Sequence, residues 1–313
     1  MARPITHLTK IETALSGSGA ARSPVIASWS RSARLHKLDP ATPRKPDRLT
    51  EAELAEARAR AGRMIRLANP VLDELFRAVG GVGCCVLLAD NDGIPVERRG
   101  APADDRTFED WGLWTGTIWS EDHEGTNGIG TCITDGRPVA IHRDQHFLAR
   151  NTGLSCMASP IHEASGRIAG VLDVSSARDD LTDGFARLIG HSVADAARRI
   201  EVELFRAAHP QDRMVLLPQW LNGSGAIVAV DRDDIVVGLS HGARLALGLS
   251  SSGPFSPIPL GDLLGQHAPD GFEDAERAVL VRALARADGN VSAAARALGV
   301  SRATLHRKLG PQA

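Results

Sequence analysis

The most constraining stretch is residues 272–309, FEDAERAVLVRALARADGNVSAAARALGVSRATLHRKL. A helix around Glu276 to Arg286 is stopped by Asp288-Gly289-Asn290. VSAAARALG makes a second helix, with Ser292 expected as its cap and Gly299 as its stop. VSRATLHRKL makes a third, capped by Ser301. Two short helices joined by a three- or four-residue turn containing Gly form a helix-turn-helix. Ala293, Ala294, Ala295 and Ala297 allow close helix approach, and Val291, Ala295, Leu298, Val300, Leu305 and Leu309 suit a shared core. From Asn290 to Gly310 the charges are Arg296, Arg302, Arg307 and Lys308, with no acidic residue, although the 313-residue chain carries a net charge of −2. A bias toward nucleic acid is therefore local to this block. In such a motif the third helix enters the major groove. Ser301, Arg302 and Thr304 are then expected at base edges or phosphates, with His306, Arg307 and Lys308 on the backbone or further bases. Ser292 stands at the start of the helix before.

Upstream, the pattern mixes strands and helices. In SPVIASWSRSARLHKLDP, Val25, Ile26, Trp29 and Leu35 fall at helical spacing behind a Ser23-Pro24 start. Thr50 and Glu53 make a capping box that opens a long helix, with an interruption expected near Asn69-Pro70. GCCVLLAD followed by NDG predicts a strand entering a hairpin. RPVAI and CMASPIHEASGRIAGVLDVS continue the strands, the second as a pair joined at EASG, and TNGIGTCITDG between them is helix-like. Leu181, Phe185, Leu188, Val193, Ala196, Ile200 and Leu204 recur at helical spacing in a second long helix. Its stripe and that of the first long helix serve equally as a dimer seam or as a cover for their own domain. GAIVAVDRDDIVVGLS predicts a smaller strand-turn-strand unit, followed by a short helix and a Ser/Pro/Gly linker. The fold class is therefore α+β with an antiparallel sheet and flanking long helices, plus an all-α C-terminal domain.

EGTNGIGTC, residues 124–132, spaces Gly125 and Gly130 as a phosphate-binding loop does. Thr131 and Cys132 stand where that loop needs Lys and Ser/Thr, and Glu121, Asp122 and Glu124 would repel phosphate. The reading adopted is that Thr126 and Asn127 cap a helix to about Asp135, while Gly128 and Gly130 allow close packing against the sheet. HRDQH spaces His142 and His146 four apart but lacks the Glu of a zinc protease, and no metal or other cofactor is expected. Cys84, Cys85, Cys132 and Cys156 form no C-x-x-C pair and are expected to be free thiols. No apolar run approaches the roughly 18 residues that span a bilayer, and the N-terminus lacks the apolar core of a signal peptide. A cytoplasmic location is expected.

The residues GN-x-S-x-AA-x-x-LG-x-SR-x-TL-x-RKL resemble the Fis-type helix-turn-helix of bacterial enhancer-binding regulators, with His306 where that family often has an aromatic. The run from Trp111 to Ser176 resembles the GAF sensor domain of regulators similar to the acetoin-catabolism activator. The residues that carry it are Trp119, Glu121, Gly125-Thr126-Asn127, Gly130-Thr131, Pro138-Val139, His146-Phe147, Cys156, Pro160-Ile161 and Gly170-Val171-Leu172-Asp173, and the N-terminal SWSRS (residues 28–32) and LDP (residues 38–40) also fit. Residues 223–249 resemble a reduced PAS domain. These resemblances imply a layout of a basic helical segment (1–49), the sensor with its flanking helices (50–208), the PAS-like unit (209–250), a linker (251–270) and the DNA-binding domain (271–313). A sensor of this kind holds a small molecule between its sheet and covering helices. Trp111, Trp114 and Trp119 are candidates to wall that pocket. Glu121, Thr126, Asn127, His142, His146, Cys156 and Asp173 are candidates to line and orient the ligand.

Relatives of this type usually carry an AAA+ ATPase between sensor and DNA-binding domain. Here residues 250–272 read only as a linker, without a G-x-x-x-x-G-K-[ST] or GAFTGA loop. The expected function is a ligand-responsive transcriptional regulator of small-molecule catabolism acting by promoter occupancy. It would recruit RNA polymerase, block a promoter or assist another regulator. Partners implied are double-stranded operator DNA, a small-molecule effector and a second copy in a homodimer, and no enzymatic activity is expected. Redox or haem/iron sensing, and a GAF-fold thiol enzyme, are the alternatives.

Overall fold

The computed structural model describes residues 6–17, 19–218, 226–265 and 271–309. Two compact units emerge, residues 1–257 and 258–313. The boundary falls inside the stretch expected to be a linker.

The first unit begins with α1 (His7–Ser16) and α2 (Pro24–Ser30), the latter capped by the Ser23 hydroxyl as expected. A π-helical turn, Arg31–Leu35, follows and leaves Leu35 exposed. Then come α3 (Glu51–Arg60), with its Thr50–Glu53 capping box, and α4 (Gly62–Val79). The break lies at Ala61 rather than at Pro70, which sits inside α4. Proline removes one helical N–H bond, but Ala68, Val71 and Leu72 on either side are buried against the sheet, and that packing holds the helix through it.

Strands β1 (Cys84–Asp90), β2 (Pro95–Arg99), β3 (Val139–His142), β4 (Ser155–His162) and β5 (Ile168–Ser176) form one antiparallel sheet in the order β2-β1-β5-β4-β3. The β1–β2 turn is closed by Asp90, whose Oδ1 accepts from the backbone of Asp92 and Ile94. Between β2 and β3 lie α5 (Asp105–Asp110), α6 (Glu121–Glu124) and α7 (Gly128–Asp135).

The sheet is buried on both faces, which explains why β1 is a continuous apolar run rather than an alternating one. Cys84, Val86 and Leu88 face α4 and the long α8 (Asp183–Ala208). Cys85, Leu87 and Ala89 face the other way, toward Phe108, Trp119, Ile129 and Cys132. The stripe of α8 is shifted from the expected one. Ala186, Ile189, Val193, Ala196 and Ile200 are buried, whereas Phe185 and Leu188 are exposed. Both long helices thus spend their apolar faces on their own sheet.

The rest of this unit is β6 (Arg213–Leu216), β7 (Ile227–Val230), β8 (Ile235–Leu239) and α9 (His241–Ala246). The β7–β8 hairpin repeats the β1–β2 device, with Asp231 Oδ1 accepting from Asp233 and Ile235. This small sheet leans on the sensor through His162, whose ring stacks on that of His241 at 3.5 Å.

The second unit contains α10 (Leu260–Leu263), α11 (Phe272–Arg286), α12 (Val291–Ala297) and α13 (Arg302–Leu309). Leu280, Ala283, Ala294, Ala295 and Leu305 form its core. Asn290, not Ser292, caps α12, its Oδ1 accepting from Ala293 N at 3.1 Å; an Asn side chain at that position reaches the free N–H directly. Val300 is more than a third exposed and is not a core residue, and the side chain of Leu309 lies outside the described residues.

Candidate functional site

The α5–α7 face of the sheet carries two cross-strand rows. Arg98, Leu87, Asp173, Ala158 and Val139 form one, and Cys85, Ser175, Cys156 and Ile141 form the next. Period-two alternation puts Asp173 and Ser175 on the same face. Ser175 Oγ donates to Asp173 Oδ2 at 2.6 Å and lies 3.1 Å from Cys156 Sγ. His146 Nε2 stands 3.4 Å from the same sulfur. Its Nδ1–H donates to the Arg143 carbonyl at 2.9 Å, so Nε2 keeps its lone pair and accepts from the thiol.

These four side chains are buried. Burial pushes the Asp173 carboxyl up to about 7, partly offset by the Ser175 hydrogen bond. Burial pulls His146 down to about 4, leaving it neutral at pH 7. Burial and then the Asp173 charge push the Cys132 and Cys156 thiols well up. The centre is thus a buried polar patch in which His146 is neutral, the Asp173 carboxyl titrates close to neutrality and Asp173 Oδ1 has no partner. Burial keeps its thiols protonated, away from the thiolate character that redox chemistry needs.

The glycines of EGTNGIGTC act by close approach. A Cβ on Gly128 would lie 2.6 Å from both Asp173 Oδ1 and Cys156 Cβ, so that glycine does pack on the sheet. Gly130 does not. A Cβ there would lie 2.5 Å from Glu121 N and Trp119 O, so Gly130 packs α7 against the start of α6. Asn127 caps α7 alone. Its Oδ1 accepts from Gly130 N at 2.8 Å, and its Nδ2 donates to the Trp119 and Gly125 carbonyls. Thr126 is not a cap; its Oγ1 is 2.6 Å from Ser28 Oγ.

That contact shows the N-terminal segment to be part of the sensor. Trp29 is buried with Ile11, Phe147 and Leu148, and its Nε1 donates to the Gln145 carbonyl. Arg31 donates to both carboxylate oxygens of Glu121, at 2.7 and 3.0 Å, and to Asp135 at 2.8 Å. Glu121 is therefore turned outward to an ion pair, beside a cleft of about 770 Å³ that Arg31, Gly130 and Thr134 also line.

Trp119 and Trp111 belong to one apolar cluster with Phe108, and Trp114 covers Arg98 beside it. Trp119 is fully buried and donates to the Gly112 carbonyl. Trp111 is half-buried against Gly153, and the Trp114 ring centroid lies 4.2 Å from the Arg98 guanidinium. His142 is not brought to the polar centre. Paired with Ser155 across the strands, it lies on the opposite face, near the start of α8. Sequence reasoning passed over Arg98 and Ser175, and met Ser28 and Arg31 only within SWSRS, as part of the family resemblance and without a role. Only Ser175 carried a local signal, two positions after Asp173 on one strand.

In the second unit, Ser301 Oγ accepts from Thr304 N at 3.0 Å and lies 2.8 Å from Thr304 Oγ1, so these two groups start α13. Arg302, His306 and Arg307 are exposed along that helix, and Ser292 is exposed on α12. Lys308 pairs with Glu276.

Residues 9–196 match the family model described as MimR, N-terminal domain, and residues 271–310 match the bacterial regulatory protein, Fis family. The chain is 30% identical over 243 residues to the acetoin catabolism regulatory protein of Cupriavidus necator, covering 76% of this chain and 36% of that protein. It is 30% identical over 267 residues to MimR, the propane 2-monooxygenase operon transcriptional activator of Mycolicibacterium smegmatis, covering 77% of this chain and 43% of that one. The chain thus aligns with well under half the length of these relatives. The crystal structure of the E. coli DhaR(N)-DhaL complex shares the fold, with a TM-score of 0.53 and 20% identity over 74% of this chain and 80% of that one. Buried sensor centre, docked N-terminal segment and tri-helical C-terminus together with these matches show that the chain belongs to the MimR N-terminal-domain family and carries a Fis-family helix-turn-helix.

Proposed function

We propose that the protein is an effector-responsive DNA-binding regulator that acts by occupying promoter DNA, without ATP-driven remodelling. The single observation that carries this reading is the pairing, in one chain, of a sensor with a buried polar centre and a helix-turn-helix whose third helix exposes Arg302, His306 and Arg307. A small molecule seated on the α5–α7 face shifts the protein between two arrangements by binding one of them better. The candidate contacts are Asp173, His146 and Cys156 at the centre, with Trp114 above. Thr126 and Glu121 couple that face to the N-terminal segment, while Asn127 and Trp119 hold the frame. In this reading the protein binds as a homodimer to operators of two half-sites, as the Fis-type resemblance implies. The names of the relatives support catabolic operons as targets; RNA polymerase is the machinery this reading has it affect. Among the described residues, no helix is long and apolar enough to cross a membrane. The role in this reading is cytoplasmic and non-enzymatic.

The test is binding of the full chain and of a chain ending at residue 270 to the DNA upstream of its own gene. Specific binding is expected only of the full chain, with affinity falling steeply as salt rises. Equal binding by the truncated chain would sink the reading.

A further inference from the structure

The α5–α7 face holds one charged group that the polar centre does not use. Arg98 stands on edge strand β2, in the row that runs through Leu87 to Asp173. Its side chain is only 11% exposed. The guanidinium lies 4.2 Å from the Trp114 ring centroid and 5.6 Å from that of Phe108. Nη1 is 2.8 Å from Asp105 Oδ1, an ion contact that anchors one end of the group. Nε and Nη2 are buried and meet no acceptor.

Burying a cation with unmet donors is costly, and proteins ordinarily satisfy such groups. The two unmet donors are not scattered. Nε–H and Nη2–H lie side by side along one edge of the guanidinium, the edge that matches the two oxygens of a carboxylate. With Asp105 at the far end and Trp114 on its face, the fork is held in place before any ligand arrives. On the same row, Asp173 Oδ1 is an acceptor without a partner, close against Gly128. Two strand spacings, roughly 10 Å, separate the two backbones, which sets the scale at a ligand of a few carbon atoms.

We infer that the effector is a short hydroxycarboxylic acid, its carboxylate held by the Arg98 fork beneath Trp114 and its hydroxyl donated to Asp173. This rests on the reading of the α5–α7 face as the effector pocket.

The experiment is thermal melting of the full chain, followed by tryptophan fluorescence at constant ionic strength, with lactate, 3-hydroxybutyrate, acetate, hydroxyacetone and propane-1,2-diol as probes. A hydroxycarboxylate at a hundredfold excess over its Kd is expected to raise Tm by about 5–10 °C. Arg98→Lys keeps the charge and the stem but loses the fork, so it should weaken binding at least tenfold while the unliganded Tm changes little. Asp173→Asn should erase the preference for lactate over acetate. If only the uncharged probes stabilise the protein, and Asp173→Asn alters their binding, the carboxylate inference falls while the pocket stands. Carboxylate binding untouched by both substitutions overturns the inference and the pocket together. Stabilisation by no carboxylate overturns the inference.

Discussion

Asp173→Asn isolates the buried carboxyl at the sensor's centre. The side chain is 1% exposed and its pKa stands at about 7 rather than 3.8, because burial disfavours the charged form. The folded state therefore holds a proton that the unfolded chain releases near pH 4. A raised folded pKa contributes stability in full below about 3.8, and that stability is lost as pH rises through 7. Moving from 3.8 to about 7, at ~1.4 kcal/mol for each pH unit, corresponds to about 4 kcal/mol lost by pH 8 and beyond, of which about 2.5 kcal/mol falls between pH 5 and pH 8. His146 has the opposite sign. Its folded value of about 4 lies below the ordinary 6.5, so its contribution is present above 6.5 and lost as pH falls through 4. Between pH 4 and 6.5 the two slopes cancel. Asparagine keeps the Ser175 hydrogen bond and cannot ionise. Relative to the parent, Asp173→Asn should gain about 2.5 kcal/mol on going from pH 5 to pH 8, roughly 5–10 °C in Tm for a unit of this size. It should also uncover the rise in stability with pH between 4 and 6.5 that belongs to His146. All five tryptophans lie in the first unit, so fluorescence melting across pH 4–8 reads that unit alone. Parallel pH profiles of parent and variant would refute the reasoning.

Four further outcomes are expected. Arg31→Met leaves buried Glu121 without its fork and should cost about 2–4 kcal/mol, with earlier proteolysis between α1 and α3; urea midpoints and fragment mapping check both. Gly130→Ala drives a methyl into the Glu121 and Trp119 backbone and should destabilise by about 3 kcal/mol or more, whereas Gly81→Ala, which meets nothing within 4 Å, should shift the melt by under about 1 kcal/mol. A thiol reagent such as DTNB should label none of the four buried cysteines in the native protein and all four in denaturant; prompt native labelling of Cys156 would restore a redox reading. Arg302→Ala should lose about 1–3 kcal/mol of operator preference, and Arg307→Ala should weaken binding to all DNA alike and lower the salt slope by about one charge, both read by titration at several salt concentrations.

The sequence by itself determined the elements and the two ends of the functional arrangement. Caps, glycine stops and hairpin turns act over three or four residues, so the helix-turn-helix, the β1–β2 and β4–β5 hairpins and the Asn127 start of α7 were legible. The same locality explains the small misreadings. Asn290 and Ser292 are both good caps, and only the backbone path decides between them. Pro70 breaks an isolated helix, but not one pressed on a sheet. Phe185 and Leu188 fit a helical stripe as well as Ala186 and Ile189 do, and only the position of the sheet picks the buried set.

Tertiary structure decided what the local signals cannot carry. Ser28 meets Thr126 across 98 positions, and Arg31 meets Glu121 across 90, so the basic N-terminal segment turned out to be part of the sensor. Register across β2, β1 and β5 put Arg98 and Asp173 on one row, and sent His142 to the other face. The raised carboxyl of Asp173 and the lowered imidazole of His146 likewise exist only because folding removes water from both. Hydrogen bonding, desolvation and charge depend on which groups the packed chain brings within a few ångströms, and distance along the chain holds no record of that.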